Sequence, residues 1–378
     1  MLARILVAAF ALALRVRADC AGGTGTQAVW AQCGGIGWNG GTSWFNGASC
    51  VAQNPYYSQC LPCTSTTTTT RSSSTASPTS TIPSTSTTTT TSASSTPTSP
   101  GSSAIKYWFI FGDSYTTTGF NYTGAQPSAA NPIGNPAFPG SNTCGNNAPN
   151  WVDYVLVKYN SSVKMGYDFA VSGATIDNAL VGGFGIPSLV DQVTMFTNGY
   201  TSNGKPGGML PGWTGDNSFV GFWIGINDLG NSYTQSGDRA AFNNQLLDRY
   251  FSQVTKLYGF GARNFVFLNI PPVDRSPYMA TQPGSAAEKP LILDYNTKLA
   301  QRVASFPSTN PGAKTFLVDT SALLTTLLNA PQANGFIDAT TYGSQAGAMW
   351  CNNYHISPGV HDFVARAVQS ALAGTGAP

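Results

Sequence analysis

From Thr64 to Ser103 nearly every residue is Ser, Thr or Pro, and this run decides what the chain can fold into. Such a stretch carries too little apolar surface to offset the entropy of ordering it, so it reads as an extended linker. The 378 residues are thereby cut into unequal parts. The part after the run, 104–378, is long enough to build one sizeable hydrophobic core, whereas the part before it is not. Residues 1–18 read as a secretory signal, with Arg4 ahead of the apolar run Ile5 to Leu14 and the small-residue cleavage pattern Val16-Arg17-Ala18. That leaves 19–63 as the small part, and an extracellular destination is expected.

Only 9% of residues are charged and the net charge is +2, which gives no electrostatic footprint for nucleic acid or an anionic membrane. No second apolar stretch is long enough to span a bilayer, so release rather than anchoring is expected, as a monomer. Seven cysteines in an exported chain predict disulfides, and the odd number leaves at least one thiol free or paired with another molecule. Asn121-Tyr122-Thr123 and Asn160-Ser161-Ser162 are sequons, and the linker hydroxyls suit O-glycans.

Between Gln27 and Pro62 the chain is dense in Gly, Cys and aromatic residues and too short to fold without staples. Here Trp30, Cys33-Gly34-Gly35-Ile36-Gly37-Trp38, Cys50 and Asn54-Pro55-Tyr56-Tyr57-Ser58-Gln59-Cys60 closely resemble the fungal family 1 carbohydrate-binding modules. The resemblance implies a small disulfide-rich β module that binds a cellulose surface. Its aromatic platform would be Trp30, Tyr56 and Tyr57, with Asn54 and Gln59 as hydrogen-bonding neighbours. Flat rings stack on the apolar faces of sugars while amides reach hydroxyls. The competing reading, three rings forming the core of a tiny knot, suffers from the small interior available. The resemblance also implies a Cys33–Cys50 bridge. The family has a cysteine where this chain has Trp44, so Cys60 loses its usual partner, and Cys20 and Cys63 remain open as substitutes.

From Lys106 onward, apolar strand-like runs alternate with helical patterns, which predicts a three-layer α/β/α sandwich with a parallel central sheet. The predicted strands are Tyr107 to Phe111, Asp168 to Val171, Phe219 to Ile224, Asn264 to Asn269 and Thr315 to Val318. Phe242, Leu246, Leu247, Tyr250, Val254 and Leu257 fall at helical spacing, as do Tyr295, Leu299 and Val303. Ser357-Pro358 reads as the N-cap and first position of a last helix running through Val360, Val364, Ala367 and Leu372. In an open parallel sheet the site lies at the carboxyl ends of the strands.

Ser114, Gly173 and Asn227 each follow one of these strands. A serine where a buried strand opens into a loop offers its hydroxyl as a nucleophile. Two histidines, His355 and His361, are the whole supply of general bases of that type. His355 lies in the loop before the last helix and His361 within its first turns, which favours His355 as the base and His361 as a packing residue. Cys144 and Cys351, alone in this part of the chain, are expected to pair and brace the histidine loop.

Gly112-Asp113-Ser114, the glycine in Phe169-Ala170-Val171-Ser172-Gly173-Ala174-Thr175, Gly225-Ile226-Asn227-Asp228 and the histidine block resemble, in this order, the SGNH or GDSL hydrolases over essentially all of 106–373. Pro271-Pro272-Val273-Asp274-Arg275-Ser276-Pro277 and Asn150-Trp151-Val152-Asp153-Tyr154 further resemble fungal carbohydrate esterase family 16, acetyl esterases of hemicellulose fragments. The resemblance implies that Ser114 attacks the ester carbonyl. It also implies an oxyanion hole made of the Ser114 and Gly173 backbone N–H groups and the Asn227 side chain, with His355 as base. Where the family has an acid three residues before that histidine, this chain has Asn352. An amide can orient the imidazole but supplies no charge; Asp338 and Asp362 are the alternative acids. In serine proteases the same exchange costs roughly ten-thousandfold in turnover through the wrong tautomer. The cost is smaller if the amide turns its oxygen to the ring.

The expectation is a secreted serine esterase, free of metal or cofactor, that removes acetyl groups from cell-wall oligosaccharides while anchored to cellulose. Two rivals stand beside it: a catalytically decayed cellulose-binding protein, and a lipase for longer acyl chains.

Overall fold

The computed structural model describes residues 106–375 apart from 147, 161 and 184, and before them only 32–34, 42, 48–54 and 57–62. The expected signal, linker and module boundaries therefore lie outside the described residues. So do Trp30 and Tyr56 and the side chains of Cys33, Asn54, Tyr57 and Gln59. What is described of the module is an antiparallel sheet with Tyr57–Pro62 between Gln32–Gly34 and Ala48–Asn54. Cys50 faces Cys60 across this ladder and is disulfide-bonded; the predicted partner, Cys33, is not among the described side chains.

The larger part is built on five parallel strands: β1 (Lys106–Gly112), β2 (Lys164–Asp168), β3 (Ser218–Trp223), β4 (Asn264–Leu268) and β5 (Lys314–Val318). Their spatial order is β5-β4-β3-β1-β2. Strands covered on both faces read as unbroken apolar runs, and Trp108 to Phe111 and Phe219 to Trp223 are accordingly buried throughout. Helices α1 (Leu189–Tyr200), α2 (Arg239–Gly259) and α3 (Glu288–Thr309) pack in sequence on one face. The segment Trp151–Lys158, α4 (Thr320–Asn329) and α5 (Pro358–Ala371) pack against each other on the opposite one. Truncating any one of the fully buried side chains between these layers, Ile110 or Leu246 for example, costs about 2–5 kcal/mol. Among the described residues no helix is long and apolar enough to cross a membrane.

Four strands fall within a residue or two of their predicted positions, but β2 does not. It runs from Lys164 to Asp168 and ends where the expected strand began. Lysine and glycine hid its start: Lys164 is buried with its ammonium on the Val155 and Tyr159 carbonyls, and Gly166 leaves room for Leu156. Its end is set by Asp168, whose carboxylate accepts from the Thr118 and Ala170 N–H groups and turns the chain. Helix α1 is an addition to the predicted elements, opened by a reciprocal capping box between Ser188 and Asp191. Ser357 does stand at the N-cap of α5 with Pro358 after it, yet its hydroxyl makes no capping bond.

Candidate active site

The sheet order places β1 between β2 and β3, where the chain connections leave in opposite directions, so the crevice opens at the carboxyl end of β1. That end is clamped. A Cβ at Gly112 would lie 2.5 Å from the Trp223 carbonyl oxygen, so only glycine lets β1 and β3 close up here. The buried Gln192 amide of α1 completes the clamp, donating to the Gly112 carbonyl at 2.8 Å and accepting its N–H at 3.0 Å. Next, Asp113 turns the chain: its carbonyl accepts from the Thr116 and Thr117 N–H groups and its carboxylate from that of Tyr115. Ser114 sits on this turn, 6% exposed.

His355 arrives from the loop before α5. Its Nε2 lies 2.8 Å from Ser114 Oγ and its Nδ1 3.0 Å from Asn352 Oδ1. The backbone settles which end of the Asn352 amide faces the ring. Oδ1 also accepts from the N–H groups of Tyr354, at 2.9 Å, and His355, at 2.8 Å, while Nδ2 donates to the Thr143 carbonyl at 3.3 Å. Turning the amide over would aim its N–H bonds at two other donors. With the oxygen held there, Nδ1 carries the proton and Nε2 presents its lone pair to the serine hydroxyl.

Gly173 has φ +83°, a left-handed conformation that glycine takes without strain, and it heads the loop after β2. Asn227 lies in the short helix Ile226–Gly230 after β3, and its Nδ2 donates to the Ala174 carbonyl at 2.9 Å, which draws that helix to the Gly173 loop. The same loop is held from below by Asp228, both of whose carboxylate oxygens accept from Ile176 N–H. One Asn227 amide hydrogen is left over. The backbone N–H groups of Ser114 and Gly173 likewise meet no acceptor among the described residues. Unsatisfied donors at three adjacent strand ends can receive an oxygen that gains negative charge.

Burial without a charged partner holds the His355 ring down at about 4, so it stays neutral and able to accept a proton. Asp113, adjacent to the serine, is pushed up to about 8 by burial, which disfavours its charged form. Neither alternative acid serves His355. Asp338 is occupied with the N–H groups of Thr340 and Thr341, and Asp362 with Lys158 at 2.8 Å, Tyr159 at 2.7 Å and Arg366. His361 is buried edge-on to Trp223 with its Nδ1 unbonded, and burial, with His355 second, lowers it to about 3. Among the described residues no three His, Cys, Asp or Glu side chains gather as a metal would require.

Cys144 and Cys351 form a disulfide across 207 positions, tying the Asn352 loop to the loop that carries Thr143. The two outlying blocks also have work here. Asn150 caps the Trp151 helix and donates to the Thr116 and Thr117 carbonyls, steadying the serine turn from the far face. The segment after Pro277 anchors the histidine loop through Tyr278 N–H, which donates to the Asn353 carbonyl at 2.7 Å. Thr143, Gln192 and Tyr115, whose hydroxyl donates to the Tyr354 carbonyl, were not legible as site residues. Each acts through a long-range bond that no local pattern announces.

Residues 109–368 match the GDSL-like Lipase/Acylhydrolase family and residues 29–57 the fungal cellulose binding domain. A protein described as an acetylesterase from Thermothelomyces thermophilus is 37% identical over 276 residues, 71% of this chain and 89% of that protein. An Arabidopsis thaliana GDSL esterase/lipase is 28% identical over 69% of this chain and 82% of its own length. A 4-O-methyl-glucuronoyl methylesterase from Hypocrea jecorina is 67% identical over 36 residues, 10% of this chain and 8% of that protein. The chain belongs to the GDSL (SGNH) esterases and carries a fungal cellulose-binding module ahead of its hydrolase domain.

Proposed function

We propose that this is a secreted serine esterase that removes acetyl groups from hemicellulose oligosaccharides while its N-terminal module, through Trp30, Tyr56 and Tyr57, holds it on cellulose. The observation that carries the reading is the continuous hydrogen-bonded line from Ser114 Oγ through the His355 ring to Asn352 Oδ1. His355 takes the hydroxyl proton as Ser114 attacks the acetyl carbonyl. The carbonyl oxygen, now negative, is received by the N–H groups of Ser114 and Gly173 and the free amide hydrogen of Asn227. His355 then gives the proton to the departing sugar oxygen, which leaves as a hydroxyl, and water enters by the same steps in reverse to release acetate. Asn352 keeps the ring in the working tautomer, and no ionised partner offsets the charge the ring acquires. Attachment to cellulose raises the local concentration of enzyme near wall-bound esters.

The acetylesterase from Thermothelomyces thermophilus, alike over most of both chains, supports the acyl group chosen. Acetate release from acetylated xylo-oligosaccharides, with Ser114→Ala as reference, tests the reading. Equal background rates in both would leave a cellulose-binding protein without an esterase, and a preference for long-chain nitrophenyl esters would make it a lipase.

A further inference from the structure

Few large apolar side chains of the hydrolase domain stand in solvent, and one of them, Tyr278, is 42% exposed although its backbone is among the best anchored near the site. Its N–H donates to the Asn353 carbonyl, inside the histidine loop. Its own carbonyl accepts from Thr281 Oγ1 at 2.7 Å and from Gln282 Nε2 at 3.3 Å. The ring stands edge-on to Tyr354 at 5.7 Å between centroids, and Tyr354 in turn stands edge-on to His355 at 5.5 Å. Tyr354 is fixed from behind by the Tyr115 hydroxyl. Tyr278 is therefore one aromatic ring away from the base, anchored through its backbone, and its hydroxyl meets no hydrogen-bond partner among the described residues.

A rigid aromatic ring with solvent on one side costs hydration unless something apolar and flat covers it, and its fixed position removes the entropy penalty of ordering it at binding. The C–H face of a pyranose is such a cover, and it meets a tyrosine ring by stacking while the phenol reaches a ring hydroxyl. Resting on the carbohydrate ester reading above, we infer that Tyr278 is the platform for the sugar ring that carries the scissile acetyl group. It seats the alcohol half of the ester so that the acyl carbon meets Ser114. It is a specificity residue and takes no part in proton transfer.

The test compares the full-length chain with Tyr278→Ala and Tyr278→Trp on two substrates, an acetylated xylo-oligosaccharide and ethyl acetate, whose alcohol has no ring to stack. The expected result for Tyr278→Ala is a rise of about threefold to tenfold in KM for the oligosaccharide, with kcat and the ethyl acetate rate unchanged. Tyr278→Trp restores the lower KM. Unchanged KM on the oligosaccharide in Tyr278→Ala overturns the inference alone, as does an equal loss on both substrates, which would mark a structural prop. A parent protein that hydrolyses ethyl acetate but no acetylated oligosaccharide overturns the carbohydrate reading itself and this inference with it.

Discussion

His355 and His361 are six positions apart, both rings are lowered by burial, and their surroundings could hardly differ more. In the loop, both nitrogens of His355 are engaged, one by Ser114 Oγ and one by Asn352 Oδ1. Inside α5, His361 lies against Trp223 with its Nδ1 meeting no partner among the described residues. Burial alone therefore does not make a histidine useful; a fixed tautomer and a reachable hydroxyl do. The interval between the two is readable in the sequence, where only the contrast of loop against helix hints at the division of labour.

The sharpest way to break this comparison is to remove each ring in turn. His355→Ala is expected to lower kcat/KM by roughly a thousandfold to a millionfold, in the range of catalytic histidine deletions. His361→Phe, keeping volume beside Trp223, is expected to stay within roughly tenfold of the parent, because its ring meets no reacting atom. Similar losses in both, with both folded by circular dichroism, would erase the distinction.

Asn352 sharpens it. Replacing Asn352 by Leu strands three donors, Nδ1 of His355 and the N–H groups of Tyr354 and His355, and is expected to cost about a hundredfold or more in kcat. Asn352→Asp keeps an acceptor in the same place and adds charge. It is expected to raise kcat and to move the acid limb of the kcat/KM profile upward from about 4, the value set by the desolvated ring. The gain has an opposing part, since the carboxylate would face the Thr143 carbonyl that the amide now satisfies. A pH–rate profile that stays in place in Asn352→Asp would show that residue 352 does not govern the base.

Much of this fold was legible because a parallel sheet covered on both sides demands long apolar runs, and β1, β3, β4 and β5 supply them. The edge strand was read late because Lys164 and Gly166 look unlike a strand, and their fitness shows only once the Tyr159 carbonyl and Leu156 are placed against them. Within the site, the strand-end residues could be read from order and position. The orientation of Asn352 could not, because two backbone N–H groups of its own loop and the distant Thr143 decide it. The clamp of Gln192 on Gly112 joins residues 80 positions apart and has no local signature.

Two smaller effects bear on the contrast between loop and helix. Opening the Cys144–Cys351 bridge by Cys144→Ala is expected to lower stability by about 2–5 kcal/mol in a denaturant titration, with activity lost at lower temperature than in the parent. The smallest effect is on acid stability. Both rings sit below the ordinary histidine value of 6.5, so their contribution is whole above 6.5 and is lost as pH falls through about 4 for His355 and about 3 for His361. His361→Phe should therefore lose less Tm than the parent between pH 6.5 and 4. Parallel Tm curves would mean that the helix histidine is not buried in its neutral form.

The hydroxyl at 114 and the imidazole at 355 come from positions 241 apart, one on the turn after the first strand of the sheet and the other just before the last helix. On the ribosome, a growing chain carries its serine for most of the domain's synthesis with nothing to take the proton from it. On the proposed mechanism, a nascent chain or a proteolytic fragment that ends between the two positions holds a nucleophile without its base and is inactive.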